Sequence, residues 1–380
     1  MKYRKLGKTD LHVSEIGFGC TYFPDITEDE LIKMLDTGMA AGMNVLDVCI
    51  AEPDVRDKIG KVISGRREKL IIQGHVGITM EDGQYARTQD LEKSKQHLAD
   101  FYTRLKTDYI DIAMLHCIDQ MEEYEAAKNN GLIDYMLEQK KTGKFKFLGF
   151  SSHEPDVATT MVKSGVFDVA MFSISPLFDL VFNDMDKFFT MPNDEAYPKN
   201  INIDKRRASF YALCEEKGTG ITVMKALAAG SLVDPNDTPF GKAMTVPQCI
   251  HYALNRPAVG SVFIGFKETA QIESALRYYN SNDKDLDYSQ VLGTVTGNKI
   301  KKCLYCNHCL PCTSRISIGA VTKLLDSGIR HGKTSAILDE YKKLPVKASA
   351  CTECGLCVKR CPFGINVVEN MKKAREMFET

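Results

Sequence analysis

The chain has 380 residues, of which 44% are hydrophobic and 26% charged, and its formal net charge is -1. This length predicts two or three domains, and the near-neutral charge without a basic stripe argues against a nucleic-acid partner. No apolar run is long enough to span a membrane, and the N-terminus lacks the apolar centre of a signal peptide, so we expect a cytoplasmic protein.

From Ser14 to about Tyr279, short strand-like runs alternate with amphipathic helical runs, for example at 29–41, 89–105 and 206–217. This alternation is typical of βα units around a parallel sheet. A hairpin over 3–13 comes first and should cap the lower mouth of a barrel. Eight strands are predicted after it, at 14–19, 45–48, 70–74, 109–115, 147–151, 169–174, 221–224 and 261–264. Eight such units predict an α/β fold, a (β/α)8 TIM barrel, over residues 1–285.

One connection, residues 175–204 after the sixth strand, is unusually long and carries several Phe and Met residues. Long loops in compact domains are often lids or binding loops, and this one would overhang the catalytic face of the barrel. A surface excursion with its own small apolar cluster explains the same composition.

The remaining residues, 286–380, contain two runs of cysteines separated by helical stretches at 318–325 and 334–342, which we expect Gly328 and Gly332 to break. Eight cysteines form these runs: Cys303, Cys306, Cys309 and Cys312, then Cys351, Cys354, Cys357 and Cys361. The second run has the C-x2-C-x2-C-x3-C-P spacing of ferredoxins that hold 4Fe-4S clusters. A third Cys at the next step of three is not a zinc pattern. We therefore predict a small α-helical ferredoxin domain with two clusters.

The fourth cysteine of such a run usually reaches the neighbouring cluster rather than its own. We therefore assign the fourth cysteine of each run to the cluster of the other run. One cluster takes Cys303, Cys306, Cys309 and Cys361, and the other takes Cys351, Cys354, Cys357 and Cys312.

Side chains at the C-terminal ends of barrel strands form the active site of a TIM barrel. Four titratable residues stand there and are the candidates for acid/base work: Asp47, Glu52, His75 and His116. Structural roles, such as a hydrogen-bonded histidine or a turn-capping aspartate, explain the same residues. We expect three nearby cysteines, Cys20, Cys49 and Cys117, to be small buried hydrophobic residues. A phosphate, for example that of a flavin, could lie at Lys225, Gly230 and Lys267 after strands seven and eight.

Several motifs resemble, in order, those of the aldo/keto reductases: Tyr-Arg-Lys-Leu-Gly-Lys-Thr at 3–9, Ile-Gly-Phe-Gly at 16–19, Gly-Met-Asn-Val-Leu-Asp at 42–47, and the segments 108–116 and 143–151. With its cysteine runs, the chain resembles the branch that carries a C-terminal 4Fe-4S domain. The resemblance implies carbonyl reduction with NADPH by an Asp-Tyr-Lys-His tetrad. Asp47 and His116 match that tetrad, whereas Glu52 replaces its Tyr and His75 its Lys.

The cofactor positions that the resemblance implies are also altered. Ser151 is followed by Ser152 where the family has a Ser-Asn pair, and Met171 and Ile174 replace its Gln and its ring-stacking Tyr. Lys267 and Gln271 of the phosphate-gripping run are kept, but Glu and Asn of that run are replaced. A phosphate subsite is therefore expected, while a nicotinamide subsite is not.

The leading hypothesis is an iron-sulfur oxidoreductase in which two clusters relay electrons to or from a small-molecule substrate or a cofactor at the barrel mouth. A cluster transfers single electrons and nicotinamide a hydride, so a flavin converter would be needed between them. The alternatives are an NADPH-dependent carbonyl reductase with an altered tetrad and a non-catalytic electron carrier. A third is a metal site of His75, His116 and a carboxylate. A redox protein such as a ferredoxin is the expected partner.

Overall fold

A computed structural model describes residues 1–182, 201–238, 240–292, 303, 305–361 and 364–379. The chain divides into two compact units, one of Met1–Ile78 with Thr88–Gly297 and one of Thr79–Arg87 with Asn298–Thr380. The domain boundary at 285/286 stays a prediction. Among the described residues, no helix combines the length and apolar character needed to cross a bilayer.

The first unit is a closed barrel of parallel strands in which each strand pairs with the next along the chain. This confirms the predicted α/β barrel and all of its strands. We number them β1 (Ile16–Gly19), β2 (Val45–Val48), β3 (Ile71–Val76), β4 (Ile110–Leu115), β5 (Phe145–Ser152), β6 (Val169–Ser173), β7 (Gly220–Met224) and β8 (Val259–Gly265). Most are continuous runs of buried residues, as expected for strands covered on both faces.

The N-terminal hairpin closes the bottom of the barrel, as predicted. Tyr3–Lys5 pairs antiparallel with His12–Ser14, and Leu6 between them packs into an apolar cluster of barrel residues. Gly7 has a φ of +55°, and a Cβ there would lie 2.3 Å from the Gly220 amide nitrogen at the start of β7. Only glycine therefore fits this close approach.

Helices connect the strands and cover the barrel. They are Glu28–Ala40, Pro53–Val62, Leu91–Leu105, Met121–Asn129, Leu132–Lys141, Pro155–Lys163, Lys205–Lys217, Val246–Leu254 and Thr269–Leu276, with shorter helices at Pro176–Asp179, Asp283–Leu286 and Ser289–Leu292. Side-chain caps set several starts; Asp90, for example, accepts a hydrogen bond from the Lys93 amide. Pro53–Val62 approaches Leu91–Leu105 so closely that a Cβ on Gly60 would lie 1.9 Å from the Arg104 carbonyl oxygen.

The long connection after β6 begins with the helix Pro176–Asp179. It continues as a strand, Leu180–Phe182, paired antiparallel with Ile201–Ile203. Asp179 is fully buried and accepts hydrogen bonds from Arg207 (2.7 Å), Tyr211 (2.6 Å) and Tyr252 (3.1 Å). These bonds fix the start of the connection to the barrel. Its central part, 183–200, lies outside the described residues, and so does the predicted lid.

The second unit is built from helices, namely Ile318–His331, Ser335–Lys343, Leu356–Arg360 and Val367–Phe378, around an apolar core. The expectation that Gly328 breaks the first of these was wrong. The helix continues through Gly328. A Cβ at this position would lie 2.5 Å from the Met377 Sδ, so the glycine permits the close packing of two helices. The helix ends at Gly332, as predicted, where φ is +77°.

A hairpin between β3 and the next barrel helix supplies residues 79–87 to the second unit. It consists of Ile78–Glu81 and Gln84–Arg87. Gln84 Nε2 donates to the Cys312 carbonyl (3.1 Å), and the Cys312 amide donates to Gln84 Oε1 (3.2 Å). One glutamine thus fixes the backbone at one of the predicted cluster cysteines.

Candidate functional site

Three of the four predicted acid/base residues meet at the C-terminal mouth of the barrel. Asp47 lies on β2, His75 on β3, and His116 directly follows β4. Adjacent parallel strands place them side by side, since Asp47 is in register with Gln73 and His75 with Met114. All three are buried, with the side chain of His75 only 1% exposed.

The three side chains form a linear hydrogen-bonded chain. His75 Nε2 lies 2.9 Å from Asp47 Oδ1, and His75 Nδ1 lies 2.7 Å from His116 Nδ1. The two imidazole rings meet edge to face, with centroids 4.8 Å apart. Because ionised Asp47 can only accept, His75 donates from Nε2 and accepts at Nδ1, and His116 donates from its own Nδ1. A proton taken up at His116 Nε2 can therefore be shared along the chain toward the carboxylate.

The 2.7 Å between the Nδ1 atoms is a hydrogen-bond distance. The metal site of His75, His116 and a carboxylate stays a prediction. Gln73 fixes the other end of the chain. Its Nε2 donates to Asp47 Oδ1 (2.7 Å) while its Oε1 accepts from Thr222 (3.0 Å).

Glu52 lies outside this chain. It precedes the helix Pro53–Val62, and its Oε2 accepts a hydrogen bond from the Ala51 amide (3.1 Å). Of the predicted small buried cysteines, Cys20 and Cys117 are buried and Cys49 is half-buried. Cys20 Sγ lies 3.6 Å from Cys49 Sγ. Burial, the contact with Cys49 and the charge of Asp47 raise the pKa of Cys20 well above its usual value.

A second carboxylate-imidazole group lies at the ends of β4, β5 and β7. His153 Nδ1 is 3.0 Å from Asp119 Oδ2, and His153 Nε2 is 2.8 Å from Lys225 Nζ. Cys117 Sγ donates to Asp119 Oδ2 (3.3 Å). Cys117 and Lys225 both have left-handed backbone, with φ of +48° and +61°. The sequence analysis named Lys225 but missed Asp119 and His153, although His153 directly follows the predicted strand-end serines.

The two serines predicted to bind a cofactor are hydrogen-bonded to the loop after β4. Ser151 Oγ accepts from the Cys117 amide (2.7 Å), and Ser152 Oγ donates to Asp119 Oδ1 (3.2 Å). Both serines are buried. Met171, which replaces the family glutamine, lies with its Sδ 3.3 Å from Gln73 Nε2. These serines hold protein groups, and their role toward a cofactor stays a prediction.

The predicted phosphate residues lie on two separate loops. Gly230, after β7, has a φ of +93° and open space where a Cβ would stand. Lys267, after β8, is exposed, with its Nζ 4.6 Å from the centre of the Tyr22 ring. Its amide donates to Gln271 Oε1 (2.9 Å), which fixes the loop before the helix Thr269–Leu276. These contacts are with protein groups, and phosphate binding stays a prediction.

The eight C-terminal cysteines all lie in the second unit. Charge on Cys306 or Cys361 acts on both Cys303 and Cys309, and charge on Cys357 also acts on Cys309. Charge on Cys351, Cys312 or Cys354 acts on Cys357. Burial first, and the neighbouring thiols next, raise the pKa of Cys309, and burial raises that of Cys303 to about 12. The exchanged assignment of the fourth cysteines stays a prediction.

Four of these cysteines line a small pocket of about 20 Å³. Its walls include Cys312, Cys351, Cys354 and Cys357, with Ile316, Ile318 and Met371 as apolar neighbours. Cys354 is exposed, and Thr313 Oγ1 lies 3.7 Å from its Sγ. Four thiols around one apolar pocket are a donor set suited to iron and sulfide.

Comparison with known proteins identifies the family. The model of the aldo/keto reductase family matches residues 15–248. The uncharacterized oxidoreductase YqkF of Bacillus subtilis is 32% identical over 316 residues, which cover 74% of this chain and 92% of the relative. The chain belongs to the aldo/keto reductase family. It is therefore an oxidoreductase enzyme, as predicted.

Other relatives of this aldo/keto reductase extend over most of its barrel. L-galactose dehydrogenase of Arabidopsis thaliana is 25% identical over 306 residues, 72% of this chain and 86% of the relative. The holo form of an aldo-keto reductase from Bacillus halodurans superimposes with a TM-score of 0.60 at 23% identity, covering 79% of this chain and 99% of its own. The last comparison supports the fold alone. The family match contains the Asp47-His75-His116 chain and ends before the cysteine runs.

Proposed function

We propose that this aldo/keto reductase is an iron-sulfur oxidoreductase in which two 4Fe-4S clusters relay electrons to or from a small-molecule substrate at the barrel mouth. The observation that carries the proposal is the pocket lined by Cys312, Cys351, Cys354 and Cys357. This pocket brings Cys312, the fourth cysteine of the first run, together with three cysteines of the second run.

The residues present fit the clusters in number, type and surroundings. Each proposed cluster takes four sulfur ligands, and apolar side chains of the core pack against them. Gln84 and Arg360 secure the backbone of the first run, since Arg360 donates to the Pro311 carbonyl (2.6 Å) beside Cys312. Bound clusters would supply single electrons at low potential.

The Asp47-His75-His116 chain supports proton transfer at the mouth. Asp47 holds His75 in one tautomer, and His75 in turn orients His116 through the Nδ1 contact. A histidine has a reference pKa near 6.5, which suits proton transfer near neutral pH. Glu52 is a further candidate at the same mouth, and the variant Glu52→Gln tests it. In this proposal His116 exchanges the proton with substrate, while Asp47 and His75 position it.

The second candidate is an NADPH-dependent carbonyl reductase, which membership of the family favours. The residues at the tetrad and nicotinamide positions argue for the first candidate. His75 stands where a Lys would activate a Tyr, and its ring is engaged with Asp47 and His116. Ser152 donates to Asp119, and Ile174 is fully buried.

The proposal implies a one-electron donor or acceptor protein, such as a ferredoxin, and a small-molecule substrate. A flavin bound at Lys225, Gly230 and Lys267 would be required if nicotinamide also took part, because hydride and single-electron transfer need a converter. Extraction of small molecules from the purified protein, followed by absorption spectroscopy, tests for that flavin.

The deciding experiment uses protein purified without oxygen. Iron and acid-labile sulfide are measured first, and about eight of each per chain are expected. Reduced methyl viologen and NADPH are then compared as donors toward a panel of aldehydes, ketones and enones. Viologen-driven turnover that disappears in Cys309→Ala but persists in Cys214→Ala, a buried barrel cysteine, supports the proposal. Absence of iron, or NADPH-driven turnover of equal rate in both variants, overturns it.

A further inference from the structure

Three ligand-type side chains in the barrel meet around one point that the proposed electron and proton path does not use. They are the Cys117 thiol, the Asp119 carboxylate and the His153 imidazole. Cys117 Sγ is 3.3 Å from Asp119 Oδ2 and 3.9 Å from His153 Nδ1, and Asp119 Oδ2 is 3.0 Å from His153 Nδ1. We propose that these three atoms bind one divalent transition metal, zinc being the ion they suit best.

The spacing fits such an ion. Tetrahedral zinc with sulfur, nitrogen and oxygen donors holds its ligand atoms about 3.3 to 3.6 Å apart. The three measured separations bracket that range, so small side-chain shifts suffice to bring all three atoms to bonding distance. A mixed sulfur, nitrogen and oxygen set is typical of zinc and unlike the all-oxygen sites of magnesium or calcium.

The carboxylate is already held in the orientation that a ligand needs. Asp119 Oδ1 accepts from the His153 amide (2.6 Å) and from Ser152 Oγ (3.2 Å), while Oδ2 faces the thiol and the imidazole. Hydrogen bonds to the non-ligating oxygen are the usual outer support of a metal-binding carboxylate. Ser152, which stands where the family has the Asn of its Ser-Asn pair, thereby gains a role in this site.

Burial is compatible with the ion. The side chains of His153 and Asp119 are 4% and 11% exposed, and Cys117 is buried, so few water molecules compete.

An ion held by these three residues could polarise a carbonyl oxygen at the barrel mouth as a Lewis acid.

Cobalt(II) is the probe, because a thiolate-cobalt bond gives an intense near-ultraviolet charge-transfer band. Full-length protein is purified without oxygen, its iron is measured, and CoCl2 is titrated while cobalt content and absorption are recorded. We expect about one cobalt per chain with a thiolate band. The band should be lost in Cys117→Ser, and cobalt binding should be lost in Asp119→Asn. Cys214→Ser, a buried barrel cysteine outside the group, should keep both.

Ser152→Ala is the variant that separates a metal site from a purely structural cluster. It removes one hydrogen bond to Asp119 and should weaken cobalt binding about 10-fold without changing the stoichiometry. Wild-type protein without a cobalt band, or unchanged affinity in Ser152→Ala, overturns the proposal. The iron content shows separately whether the C-terminal clusters are present. If they are absent, cobalt bound to the empty C-terminal cysteines would persist in Cys117→Ser.

Discussion

His75 and His116 face each other through their Nδ1 atoms, which lie 2.7 Å apart. One nitrogen donates and the other accepts, so the protonation state of either ring depends on the other. Asp47 fixes which ring donates, because its carboxylate can only accept from His75 Nε2. His75 stands at the tetrad position that holds a Lys in the family, and here it links Asp47 to His116.

Replacing His116 by Ala should lower electron-driven turnover by roughly a hundredfold or more, since a positioned proton donor contributes about that much. Oxidation of reduced methyl viologen with the carbonyl panel measures it. Asp57→Asn, which changes a half-exposed carboxylate elsewhere on the barrel, is the matched control. Turnover unchanged in His116→Ala would remove this residue from the proton path.

Asp47→Asn and His116→Ala should be strongly non-additive. Because both residues act through one hydrogen-bonded chain, breaking it at either end disables the whole chain, and the second change has little left to remove. We expect the double variant to be within about threefold of the slower single variant. Rates that multiply across the two changes would show that the residues act independently.

The iron content of double cysteine variants should follow the crossed grouping of the thiols. We assign Cys303 and Cys361 to one proposed cluster, so Cys303→Ser with Cys361→Ser should retain about half the iron, as either single change does. Cys303→Ser with Cys312→Ser should lose nearly all, because we assign Cys312 to the other cluster, with Cys357. The opposite ranking of the two double variants would mean that each run binds its own cluster.

Asp179→Ala should destabilise the barrel by about 3 to 5 kcal/mol, because it leaves the buried Arg207 guanidinium without its carboxylate. Two tyrosine hydroxyls lose their acceptor at the same time. Urea unfolding followed by circular dichroism measures the change. The exposed Asp156→Ala, in the nearby helix Pro155–Lys163, should change the free energy of unfolding by less than about 0.5 kcal/mol.

Gly60→Ala should also destabilise the barrel, by about 1 to 3 kcal/mol, although Ala normally favours a helix. The added methyl would lie 1.9 Å from the Arg104 carbonyl oxygen, and backbone atoms cannot move aside cheaply. Lys61→Ala in the same helix, where the side chain is 60% exposed, is the control. Equal thermal midpoints for the two variants would contradict the close approach of the helices.

The barrel could be predicted because each strand is a short apolar run bounded by polar turns, and the run alone sets the element. Strand ends were predicted less accurately, and His153 was therefore missed as a residue of the barrel mouth. The sequence ends the fifth strand at 151, whereas β5 continues to Ser152, and His153 then lies at the mouth. Asp119 could not be found by this rule, since it stands four residues beyond Leu115 and is placed by the loop.

Contacts between residues far apart in the sequence could not be predicted from the sequence pattern. The His75-His116 contact needs the register of β3 against β4, which no local periodicity contains. Gly328 was misjudged for the same reason, because its environment is set by the last helix of the chain and not by its neighbours in sequence.

The hairpin at 79–87 means that the second unit is discontinuous in sequence. During synthesis its first strands leave the ribosome long before Cys312, the residue that Gln84 holds. A gene fragment encoding only 298–380 would lack Gln84, so the whole unit cannot be produced as one continuous segment. Grafting this cysteine-bearing unit onto another protein would require transplanting two separate segments and restoring their pairing.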